Sequence, residues 1–179
     1  MMRSLNEIGG MVMKAARGAG VPLDHCEDMA LAAEYLAATD PVRLDCIEQA
    51  LAGPHVPVAA VWTDTTLRID AARAAMAGPV AVDALRMGYD AVVLKDVDAP
   101  RLVLALFAGQ GVCVSHSFGG ADLIISRNDG RPPAIPMAAA VTVSGHFWAY
   151  LDGLAALTYV PATDASRLAG AGAGLTDND

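Results

Sequence analysis

The chain has 179 residues, is 54% hydrophobic and carries a net charge of −8, which suits one domain with a proper core. Only two of its basic residues are lysines, Lys14 and Lys95, and its arginines are scattered. No basic stripe runs along it, which argues against nucleic-acid binding and against anionic membrane surfaces. No apolar run approaches the ~18 residues of a membrane span. The apolar excess (mean hydropathy +0.39) is therefore assigned to a buried sheet and a subunit interface.

The opening MMRSLNEIGG lacks the apolar core of a secretory signal. Cys26, Cys46 and Cys113 are odd in number and far apart, as expected of reduced thiols in the cytoplasm.

The stretch Ser4 to Gly20 reads as an amphipathic helix. Ser4 and Glu7 have capping-box spacing. Leu5, Ile8, Met11, Val12, Ala15 and Ala19 share one arc. Asn6, Glu7, Gly10, Lys14 and Arg17 share the other. Gly9 and Gly10 cost roughly 1 kcal/mol each against alanine, so something is expected to approach closely there. Gly18 and Gly20 are candidate stops.

A second helix is expected from Asp24, capped through Glu27, to about Thr39. A third starts at Asp40-Pro41 and ends at Gly53-Pro54. The run 56–62 reads as a short buried strand, and Leu67 and Ile69 alternate with Arg68 and Asp70 as in an exposed strand or a helix entry. A helix over 71–77 is expected to bend or end at Gly78-Pro79, with a restart over 80–87. Residues 91–97 read as a strand, and Asp98 and Pro100 as the cap and start of a helix closed by Gly109. The runs 112–118 and 121–127 make the best hairpin, with 138–144 as a third strand of that group. His116 is read as a core histidine on the valine face. Ser144 caps a last helix that shares Phe147, Leu151, Leu154 and Ala155 on one face.

The expected fold is α+β in one domain over 1–179: a helical layer at about 4–52 packed on a mixed or antiparallel sheet with further helices.

The run SLNEI…KAARGAG, with Ala77-Gly78-Pro79, Tyr159-Val160-Pro161, Ser166-Arg167 and the closing GAGAGLTDND, resembles a bacterial family of domains of unknown function. Val21-Pro22-Leu23 departs from the aromatic residue similar proteins carry there. The resemblance marks both ends of the chain and implies no chemistry.

No histidine or cysteine pair has metal-ligand spacing. The end 170–175 lacks the following Lys-Ser/Thr and helix of a phosphate loop. No cofactor or metal is predicted. Asp177, Asn178 and Asp179 offer oxygen ligands to a hard cation, or form a solvated acidic tail.

The candidate cluster is Glu7, Lys14, Arg17, Asp177 and Asp179. Lys14 and Arg17 suit a carboxylate or phosphate, and equally the acidic end of the chain itself. Two functions follow. One is a cytoplasmic homo-oligomeric binding module with a structural or regulatory role. The other is an enzyme on an acidic metabolite, with Glu7 or Asp177 moving a proton.

Overall fold

The computed structural model describes residues 1–131, 134 and 140–159. It is an α+β fold. A five-stranded mixed sheet has the order β2-β3-β4-β6-β5, built from Ala60–Trp62 (β2), Thr66–Ile69 (β3), Ala91–Leu94 (β4), Val114–Gly119 (β5) and Asp122–Arg127 (β6). Only β3 and β4 run parallel. They are joined through α4 (Ala74–Arg86), the crossover that a parallel pair requires. Leu67, Ile69, Val92, Leu94, Leu123 and Ile125 are fully buried on the helix side of the sheet. Arg68, Val93, Ile124 and Ser117 fall in one register row on the other side.

Helix α4 lies on β3 and β4, and α5 (Pro100–Gly109) lies beside it. The N-terminal layer of α1 (Leu5–Gly18), α2 (Leu23–Thr39) and α3 (Asp45–Leu51) reaches the sheet through these two helices, with α2 packed on both. The last described helix, α6 (Gly145–Ala156), packs on α1. A two-stranded sheet pairs Met2–Arg3 (β1) with Val141–Thr142 (β7) and ties the start of the chain to α6.

Helix α1 starts as its sequence dictates. Ser4 Oγ accepts from the Glu7 N–H at 3.2 Å and Glu7 Oε2 accepts from the Ser4 N–H at 2.9 Å, closing both halves of the capping box. Gly9 admits the Glu34 side chain of α2, and a Cβ at Gly18 would meet the Leu154 carbonyl of α6. Gly10 faces open space.

Several expectations are corrected. Helix α2 starts at Leu23 after Pro22, without a side-chain cap, and the Asp24 carboxylate accepts from the His25 N–H instead. The third helix opens as a 3-10 turn, Pro41–Leu44, before α3. Strand β2 is an exposed edge of three residues rather than a buried strand over 56–62. Strand β7 pairs with β1 and not with the β5–β6 hairpin, and most of 138–140 lies outside the described residues.

Pro79 does not end its helix: α4 runs through it. A proline inside a helix costs about 3 kcal/mol. Here Ala74 to Pro79, Ala81, Val82, Ala84 and Leu85 are all buried, and that burial outweighs one lost hydrogen bond. Gly78, without a Cβ, lets Leu106 of α5 pack against the turn before the proline.

Candidate functional site

The sequence-predicted cluster divides. The Glu7 carboxylate is held by the capping box and by Arg3 Nη1 at 3.3 Å. Its pKa is lowered, first by the Ser4 backbone N–H and then by the Ser4 hydroxyl, with Arg3 contributing less. A carboxylate so committed is a poor proton carrier. Arg3 itself stacks over the Trp148 ring of α6, 4.2 Å from its centroid. Lys14 and Arg17 are exposed on α1 and form no ion pair among the described residues. Asp177 and Asp179 lie outside the described residues.

In open α/β sheets, ligands collect at the carboxyl ends of parallel strands. That place is closed here. Ala71 and Asp96, two residues beyond β3 and β4, both take left-handed backbone (φ 49° and 50°). Their loops are stitched by Ala72 N–H to the Lys95 carbonyl and Lys95 N–H to the Ile69 carbonyl, both 2.9 Å. Asp98 does not cap its own helix α5 as expected. Its Oδ1 accepts from the Ala74 N–H at 2.7 Å and caps α4 instead. Its Oδ2 stands 3.2 Å from Arg73 Nε, an ion pair without hydrogen-bond alignment. A carboxylate of the chain thus fills the position an anion would take at the start of α4.

His55 lies against this lock, with neither ring nitrogen in hydrogen-bond geometry. Its pKa is lowered, first by burial and then by Arg73. The Leu51 carbonyl and Asp98 act in the opposite direction without overcoming them.

Open space lies elsewhere. A cleft of about 460 Å³ separates the 3-10 turn and α3 from β7 and the start of α6. Val42, Phe147 and Val143 give it apolar walls, and Asp45 and Glu48 give it carboxylates. A second groove follows the seam between α2 and α5, with volumes of about 210 and 330 Å³ that share Tyr35, Leu104 and Ala108. Arg43 and Arg101 line one end, His116 and Arg131 the other. His116 is thus exposed on β5, not in the core. Its ring meets Phe118 edge-on at 5.7 Å between centroids.

The two clefts differ in charge. Val42, from the 3-10 turn, and Asp45 and Glu48, one turn apart in α3, line the cleft toward α6, while Asp40, Arg43 and Arg101 line the groove toward α5. Arg43 pairs with Asp40 at 3.6 Å with both side chains about half exposed, an interaction worth only ~0–1 kcal/mol. Among the described residues Arg101 enters no ion pair. Both guanidinium groups bear on the same buried thiol, Cys46, whose pKa burial nonetheless pushes up to about 12. Arg43 and Arg101 lie 58 positions apart in sequence, and no local spacing links them.

No family model matches the chain, and no curated protein does. A crystal structure of malate dehydrogenase from Entamoeba histolytica aligns over 65% of this chain at 12% identity, with a TM-score of 0.44. This chain spans 40% of that one. A likeness at that level says nothing of activity. Among the described residues no group of His, Cys, Asp and Glu is placed to hold a metal ion, and no helix is long and apolar enough to cross a membrane.

Proposed function

We propose that this protein is a small-molecule binding module, and that its ligand is an acidic compound with an apolar or aromatic body. The site is the α2–α5 groove, in place of the polar face of α1. One observation carries the reading. In a chain of net charge −8, Arg43 and Arg101 converge on a groove floored by Leu104, Ala105 and Ala108. Guanidinium groups match carboxylates in geometry and charge, and the apolar floor suits the rest of such a ligand. The Tyr35 and Thr39 side chains add hydroxyls along the same wall.

Binding fits better than catalysis. Glu7, one of the two proton carriers of the alternative enzyme reading, is committed to its helix cap. The module acts in the cytoplasm as a homo-oligomer. The homo-oligomer is supported by Val61, Trp62, Phe118 and Ile124, all exposed on the sheet.

Calorimetric titration with phenylacetate and succinate, with phenylacetamide as the uncharged control, tests the proposal. Phenylacetate should bind and the amide should not. R101A should weaken binding about 10- to 100-fold, the loss of a charge-assisted hydrogen bond worth ~1.5–3 kcal/mol. K14A/R17A should leave it unchanged. Equal binding of acid and amide, or loss only in K14A/R17A, would falsify the assignment.

A further inference from the structure

Among the described residues the sheet has two edges, and they differ. Strand β2 has three residues, short enough to be a poor template. Strand β5 has six, Val114–Gly119, and every one is paired in unbroken register with β6. Proteins guard such edges with lysine, proline, bulges or inward charges. VSHSFG carries none of these. Ser115, His116, Ser117, Phe118 and Gly119 are all exposed, and Phe118 keeps 56% of its surface.

We infer that β5 pairs antiparallel with β5 of a second copy about a two-fold axis through Ser117, joining the two sheets into one. The occupant follows from charge and symmetry. Two molecules of charge −8 repel over most of their surfaces, but β5 has no ionisable side chain except His116, so this strip brings no like carboxylates together. Residues directly opposite in an antiparallel pair face the same side. A two-fold axis must therefore pass through a residue, and His116 or Ser117 are the central choices.

An axis at His116 sets two imidazoles against each other. An axis at Ser117 sets His116 against the partner's Phe118, and Phe118 against the partner's His116. The intramolecular His116–Phe118 edge contact then becomes a four-ring cluster that covers the exposed phenyl group. The row Arg68, Val93, Ile124, Ser117 continues across the axis into the partner.

The pairing also reaches the groove. His116 lines its far end with Tyr35, so the partner's Phe118, set against His116, adds a further aromatic ring at that end. The pairing stands on the strand and not on the ligand, so it can hold where carboxylate binding fails.

Sedimentation at micromolar concentration should give twice the 18.4 kDa chain mass. S117K, which sets two ammonium groups at the axis, should give the single chain with an unchanged circular dichroism spectrum. In a C113S background, S117C should oxidise to a covalent dimer, because the two side chains directly oppose, while S115C should not. A single-chain species for the wild type overturns the inference. So does a dimer that survives S117K. A dimer lost in S117K without S117C cross-linking overturns the Ser117 axis.

Discussion

Alanine at Gly18 tests how α1 is seated. The new Cβ would lie 2.7 Å from the Leu154 carbonyl carbon of α6 and closer still to its oxygen. Carbon atoms rest at about 3.5–4.0 Å, so α1 and α6 must separate by roughly 1 Å. Ala15 and Ala16 on one helix and Leu151 and Ala155 on the other are fully buried and have no slack. Overpacking of this kind costs about 1–3 kcal/mol. The gain of alanine over glycine returns at most about 1 kcal/mol. With that return in full, a net loss of up to about 2 kcal/mol follows, or a fall of up to roughly 8 °C in Tm for a chain of this size. Gly10 is the internal control. It sits in the same helix with nothing within 4 Å of a Cβ, so G10A should stabilise by up to about 1 kcal/mol. Urea denaturation of both variants measures the difference directly. G18A equal to or more stable than G10A would refute the described packing of α1 on α6.

Three further outcomes are expected. His55 has a pKa lowered in the folded state, from an ordinary value of 6.5. The unfolded chain therefore takes up its proton first as pH falls, and this contribution to stability is full above about pH 6.5 and lost below it; H55Q should flatten that acid limb in Tm measured from pH 8 to pH 5. Asp98 caps α4 and pairs with Arg73, so D98A should lose the cap, worth about 1 kcal/mol, and more for the stranded guanidinium; D98N, which keeps an acceptor, should lose less, as urea midpoints will show. Burial pushes the Cys26 thiol up to about 11 and the Cys46 thiol to about 12, so a disulfide reagent at neutral pH should label Cys113 alone until the chain unfolds, with early labelling of either buried thiol counting against the core.

What could be read from the sequence was local. The capping box of α1, the β5–β6 hairpin and the Ser144 cap of α6 each involve residues within a few positions, and each forms as expected. Three misreadings were settled at long range. Asp98 sits beside Pro100 in a pattern that normally caps the next helix, yet it caps α4, 24 residues back. Pro79 should stop a helix by local rules, but the surrounding core keeps α4 continuous. Strand β7 has the composition of a hairpin neighbour, and its partner β1 lies about 140 residues away.

The site follows the same division. Lys14 and Arg17 were visible as a pair because one turn of a helix separates them. Arg43 and Arg101 come from different helical segments, and only the packing of α2 on α5 brings them to one groove. Residues 41 to 48 divide between two clefts, but no local spacing marks Arg101 as a neighbour of Arg43.

The most direct measurement is chemical-shift mapping of the amide spectrum during titration with phenylacetate. Saturable shifts are expected at Tyr35, Thr39, Arg43, Arg101 and Leu104, with Lys14 and Arg17 unmoved. Shifts centred on Lys14 and Arg17, or none at Arg43 and Arg101, would contradict it.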